Sequence, residues 1–446
     1  MTSLLLVNGI LVNEEQTRSD DILIRNGRIE RIGTGTVPAG TKTRDLAGLH
    51  VLPGIIDDQV HFREPGQPDK ADLASESKAA LVGGVTSFLD MPNNAPPCVD
   101  REGLKAKRAR ASGRCYANYG FYLGATNSNL EEIRAATPDD ACAIKVFMGA
   151  STGDMLVDDE NILEGIFAEA QLLVVTHCED TPTILRNEAA AREKYGDDVP
   201  VALHPEIRSA EACLKSSTLA VDLARRHGTR LHVLHLTTAD EMVLFDRGPM
   251  SEKQITAEVC VHHLWFEAGD YERLGTLIKC NPAIKTETDR AALRAALADD
   301  RIDIIATDHA PHTRAEKAGH YFSAPSGLPL VQHMVPMMLD LHAQGVLTLE
   351  MIVRKAAHNP ALRYGIRDRG FVREGYHADL TIVDPAGETE VTAENVLYRC
   401  GWSPLEGSTL RGAVAMTVVG GSIAHERGRV LTPPAGQALE FVRNAK

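Results

Sequence analysis

The chain has 446 residues, 43% of them hydrophobic, with 47 Lys plus Arg against 61 Asp plus Glu, a formal net charge of −14. That acid excess excludes an extended nucleic-acid-binding face, although one local arginine can still hold a small anionic substrate. The length suits one large domain with a smaller companion, and eight scattered Cys without CxxC pairs point to reduced thiols in the cytoplasm rather than a disulfide framework.

The first residues, Met1 to Asn8, lack a basic start and turn polar too early for a signal peptide, and no apolar run approaches the ~20 residues of a membrane helix. Residues 3–50 read as short strands and turns. Leu4 to Val7 and Ile10 to Val12 flank Asn8-Gly9, and Asp21 to Ile24 and Arg28 to Ile32 flank Asn26-Gly27, two hairpin signals. From Val51 the texture changes. Apolar, β-rich runs recur at 51–56, 84–91, 118–124, 143–148, 172–177, 230–236, 255–261 and 302–308. Helical patterns lie between them, at 72–82, 159–170, 208–226 and 287–298. Eight buried strands alternating with helices predict an α/β fold, a (β/α)8 TIM-type barrel over 51–369. A doubly wound sheet is the second choice, but no Gly-x-Gly-x-x-Gly follows the first strand. Strand texture returns at Gly375 to Asp384 and at Ala413 to Val419, with a Gly420-Gly421 turn. Residues 1–50 and 370–446 are therefore expected to build one small β-sandwich beside the barrel.

Polar residues that could do chemistry cluster at the ends of the predicted strands. Gln59, His61 and Arg63 share one parity, so an extended segment points them the same way. Lys145 sits among apolar neighbours, which is unusual because lysine is rarely buried unpaired. His177, His235 and Asp308 end three further strands. Taken singly, each has a plain structural explanation: a hydrogen-bonded histidine, a lysine that reaches solvent, an aspartate that caps a helix. Together on one barrel face, imidazoles and a carboxylate suit Zn²⁺ or a similar cation.

Several motifs carry a resemblance. His61-Phe62-Arg63-Glu64-Pro65-Gly66, Met91-Pro92-Asn93, Asn281-Pro282-Ala283, Ala306 to His312, Gly375 to Asp384 and Trp402 to Gly407 resemble, over nearly the whole chain, the amidohydrolase superfamily and within it the dihydroorotases. The resemblance implies that His61 and Asp308 hold one zinc ion, His177 and His235 a second, and Lys145, carboxylated by CO₂, bridges them. It implies that Arg63, Asn93 and His312 hold a substrate carboxylate, that Asn281 contacts substrate, and that Asp308 is the general acid and base. The implied reaction is the reversible closure of N-carbamoyl-L-aspartate to dihydroorotate in pyrimidine biosynthesis. The resemblance leaves a homodimer open. The sequence departs from the family at Gln59, where a His-x-His pattern would place imidazole. One or two ions are therefore expected, with the His61 site the weaker, and a replacement ligand would come from Glu179 or His262. Other readings are an allantoinase or hydantoinase, which Arg63 disfavours because a hydantoinase ring is uncharged, and a catalytically silent scaffold.

Overall fold

The computed structural model describes residues 3–149 and 155–442. Both chain ends enter one nine-stranded sheet. The N-terminal part supplies β1 (Ser3–Asn13), β2 (Gln16–Arg25), β3 (Arg28–Ile32), β4 (Lys42–Asp45) and β5 (His50–Pro53). The C-terminal part supplies β15 (Leu380–Glu390), β16 (Thr409–Val419), β17 (Ser422–Glu426) and β18 (Arg429–Val430). The two ends join where β5 pairs antiparallel with β15. The sheet encloses its own core of Leu6, Leu11, Ile22, Ile24, Val51, Ile382 and Met416, the small sandwich.

The Asn26-Gly27 turn forms as expected, with both residues at positive φ between β2 and β3. The expected hairpin at Asn8-Gly9 does not form. β1 runs straight through it, with Asn8 at φ 57° in a bulge, and the chain turns instead at Glu14-Glu15. The bulge lets β1 pair with β4 through Leu4 to Val7 and with β5 through Ile10 and Leu11, so a turn-forming dipeptide serves as a kink.

The barrel strands are β6 (Ile55–Val60), β7 (Val85–Asp90), β8 (Asn118–Phe121) with its continuation β9 (Leu123–Gly124), β10 (Ile144–Phe147), β11 (Val174–His177), β12 (Leu231–Val233), β13 (Ile255–Cys260) and β14 (Ile304–Ala306). All pairings among them are parallel, in arcs β6-β7-β8 and β9 to β14. The arcs share the third strand, interrupted at Tyr122. They meet again at the parallel Val60–His309 bridge, where His61 N donates to His309 O at 2.7 Å. The four predicted helices form as Leu73–Val82, Glu160–Glu169, Ala210–His227 and Glu287–Ala298. Each starts at a side-chain cap, from Asp72, Asp159, Ser209 and Thr286. The expected strand at 51–56 is two strands. Residues up to Pro53 belong to the sandwich and those from Ile55 to the barrel, with the break at Gly54.

Candidate active site

A cavity of about 440 Å³ opens at the C-terminal ends of the barrel strands. Its wall includes every site residue nominated from sequence: Gln59, His61, Arg63, Asn93, Lys145, His177, His235, Asn281, Asp308 and His312. Their elements fix them. His61 follows β6, Lys145 lies in β10, His177 ends β11, and His235 and Asp308 stand two residues beyond β12 and β14.

Two pairs of potential donors face each other. His177 Nδ1 lies 3.0 Å from His235 Nε2. The other nitrogen of His177, Nε2, bonds Glu179 at 2.9 Å, and Arg208 donates to the same carboxylate oxygen at 2.6 Å. Burial would push the Glu179 carboxyl up, but Arg208 and His177 hold it far below the usual carboxylate range. A carboxylate on Nε2–H fixes the tautomer and turns the Nδ1 lone pair towards His235. His235 Nδ1 is buried with no partner among the described residues. The second pair is His61 Nε2 and Asp308 Oδ1, 3.0 Å apart, with His61 Nδ1 held by Asn93 Oδ1 at 2.7 Å. Burial works upward on Asp308, yet the hydrogen bond and charge of His61, with His262 and Lys145, keep its carboxyl below the ordinary range.

Donors about 2.0–2.2 Å from one tetrahedral cation stand roughly 3.4 Å apart. Both pairs come within a few tenths of an ångström of that spacing, so these residues fit a metal. Lys145 lies on the same cavity wall, with Nζ 4.6 Å from the Phe147 ring centre and burial pushing its pKa down to about 8.

On the other wall Arg63 Nε donates to Pro311 O at 3.2 Å. Its Nη2 stands 3.1 Å from His312 Nε2, which also meets Ser326 O at 3.0 Å, while His312 Nδ1 faces Lys70 Nζ at 3.1 Å. Nδ1 must accept from the ammonium, so Nε2 carries the proton and gives it to Ser326 O. Burial, then Arg63 and Lys70, keep this imidazole neutral. The Arg63 Nη2 protons beside it therefore have no acceptor there, and none elsewhere among the described residues, and face the cavity for a ligand. Asn281 Oδ1 is also without a partner among the described residues.

Sequence reading missed the supports. Asp57 accepts from Thr307 N at 3.1 Å, Asp90 accepts from Phe62 N at 2.7 Å, and Glu76 meets His309 Nε2 at 2.9 Å. Arg208 comes 29 positions after its partner Glu179, a separation without a local pattern. Of the two residues expected to replace the missing imidazole, Glu179 is committed to His177 and Arg208. His262 has both ring nitrogens buried and without hydrogen-bond partners among the described residues. Gln59 Oε1 itself stands 3.9 Å from Cys260 Sγ.

The amidohydrolase family model matches residues 50–424. The chain belongs to the amidohydrolase family. It is 32% identical to a dihydroorotase of Pyrococcus furiosus over 436 residues, 97% of this chain and 95% of that one. It is 31% identical to an allantoinase of Deinococcus radiodurans, with 98% of each covered. Among solved structures, an L-hydantoinase (dihydropyrimidinase) of Arthrobacter aurescens superposes with a TM-score of 0.93 at 27% identity, covering 99% of this chain and 100% of that one. The amidohydrolase barrel and its β-sandwich are thus the architecture of this chain, and its activity is that of a metal-dependent hydrolase of the cyclic-amide type. No helix among the described residues is long and apolar enough to cross a membrane.

Proposed function

We propose that the chain is a zinc-dependent dihydroorotase of the cytoplasm, interconverting N-carbamoyl-L-aspartate and dihydroorotate, and that Arg63 selects this substrate. The observation that carries the choice is the Arg63 guanidinium on the cavity wall with Nη2 protons free. A ring bearing a carboxylate satisfies them, whereas the uncharged rings of hydantoins would leave a buried cation unpaired. The Pyrococcus furiosus relative bears the dihydroorotase name, which supports the same choice.

His177 and His235 would hold one ion, His61 and Asp308 a second, with Lys145 as a carbamate between them. Burial helps Lys145 lose its proton, and only the free amine adds CO₂. Bound zinc supplies Lewis acidity towards a ring carbonyl and towards water. Asp308, held ionised, accepts the proton of the attacking water and returns it to the ring nitrogen as the amide bond breaks. Arg63 and Asn281 orient the substrate, and Asn93 and Glu179 hold the two histidines in the required tautomers.

The test is turnover of dihydroorotate, allantoin and hydantoin by the pure protein, with its zinc content measured on the same sample. Arg63→Lys keeps the charge and loses the planar fork. Its kcat/KM for dihydroorotate should fall by about one to two decades, on the order of 1.5–3 kcal/mol, with zinc content unchanged. Preference for allantoin would move the assignment to that ring, and a zinc-free, inactive chain would favour a silent scaffold.

A further inference from the structure

Below the cavity, side chains from three barrel strands converge on a point that the reaction does not use. Asp58 comes from β6, His232 from β12 and Glu258 from β13, and none of the three is exposed at all. His232 Nε2 lies 3.6 Å from Asp58 Oδ2 and 3.6 Å from Glu258 Oε2. All three donor atoms lie within 4.8 Å of one another. Both Asp58 oxygens, Glu258 Oε2 and His232 Nε2 are buried without a hydrogen-bond partner among the described residues. The remaining Glu258 oxygen accepts from His235 N at 3.2 Å. No Lys or Arg forms an ion pair with either carboxylate among the described residues.

The imidazole is set for an electrophile. His232 Nδ1 stands 2.8 Å from Thr256 Oγ1, and that hydroxyl lies within 3.4 Å of Leu231 O as donor. The hydroxyl therefore accepts the Nδ1–H, and the bare Nε2 lone pair faces two carboxylates. Three such groups meeting in a dry interior repel one another unless a cation lies between them or a carboxyl takes up a proton, and burial pushes the Asp58 carboxyl up to about 7 and the Glu258 carboxyl well above the ordinary range. The 3.6 Å separations are too long for hydrogen bonds and close to the roughly 3.4 Å between ligand atoms on one tetrahedral cation. Two carboxylates and one neutral imidazole also balance a divalent charge.

We propose that Asp58, His232 and Glu258 form a buried structural site for a divalent cation, zinc in the first place, separate from the ions assigned to the cavity. The Tyr364 hydroxyl, 2.8 Å from the Tyr122 hydroxyl, which donates to Asp58 O at 2.6 Å, lies close to Asp58 and completes the polar surroundings. The ion would tie the first strand to the sixth and seventh across the barrel interior. Since the site is closed, loading belongs to folding rather than to exchange in the native protein.

The experiment uses the full chain produced with zinc supplementation. Crystals measured on both sides of the zinc absorption edge should show an anomalous peak bounded by Asp58, His232 and Glu258, distinct from any peak at His177 and His235. Elemental analysis of Asp58→Asn and of His232→Gln should each show about one zinc fewer per chain than the wild type, with the cavity peaks retained. No anomalous density at the buried point in wild-type crystals overturns the proposal, whatever the cavity holds. Unchanged stoichiometry in both folded variants overturns it as well. Should either variant fail to fold, the wild-type density alone decides.

Discussion

Gln59 places an amide where the family pattern calls for imidazole, on the tip that also carries His61. An amide oxygen is the poorer ligand for a borderline cation, whereas the His177–His235 pair keeps two imidazoles with a carboxylate behind one of them. Dialysis against a mild chelator should therefore remove one ion before the other, as followed by elemental analysis. Gln59→His should slow the first loss. Two equally tight ions in the native chain, unaffected by Gln59→His, would mean that another group serves that ion, and His262, with both nitrogens unpartnered, is the one to mutate next. Lys145 gives a pH prediction. Burial lowers its pKa to about 8, so the free amine is scarce below that value and dominant above it. At fixed dissolved CO₂, the free-amine share should rise roughly 50-fold between pH 6 and pH 8. Carbon-13 NMR of metal-free protein should show the carbamate signal growing over that range; a signal independent of pH would remove Lys145 from the bridging role.

Strand ends do the positioning. Arg63, His235 and Asp308 all sit at positive φ, 61°, 40° and 47°, conformations that cost non-glycine residues about 1–3 kcal/mol and persist only where the surroundings impose them. The supports named above impose them: Asp90 on the residue before Arg63, Glu258 on His235 N, and Asp57 on Thr307. Gly54 shows how one residue divides two sheets. A Cβ there would lie 2.2 Å from Thr86 Oγ1 and 3.0 Å from Asp379 Cβ, and its N–H donates to Asp379 O at 2.8 Å. The chain thereby leaves the sandwich and enters the barrel within one residue. Gly54→Ala should destabilise the protein by about 1–3 kcal/mol through overpacking, read as a lower urea midpoint. An unchanged midpoint would mean that Thr86 turns away at no cost, giving up its bond to Ile55 O.

Across the whole molecule, charge and redox state sort by depth. A net charge of −14 coexists with a cavity that gathers Arg63, Lys145, Arg208 and Lys279 on its wall, so the anionic substrate meets a local field opposite to the global one. All eight cysteines are free; seven are buried and Cys400 is half-buried. Burial pushes their thiols up, Cys98 to about 11 and Cys115 to about 12. A thiol reagent should therefore modify at most about one cysteine in the native protein, slowly, and eight after denaturation in guanidinium. Rapid native labelling of several thiols would contradict this packing.

The sequence by itself determined the strand–helix alternation, the barrel and the residues at its mouth. A buried parallel strand needs an unbroken apolar run, and a polar residue at its end has few places to go except the rim. It also determined the Asn26-Gly27 turn, whose residues tolerate positive φ. Only the tertiary structure decided that Asn8-Gly9 is a bulge, because that depends on two strands pairing with opposite halves of β1. The break at Gly54 likewise depends on Thr86 and Asp379, far away in the chain. The tertiary structure also decided which nitrogen of each histidine is tied: Glu179 behind His177, Asn93 behind His61, Thr256 behind His232. Tautomers follow from partners brought near by folding, and spacing along the chain carries no trace of them.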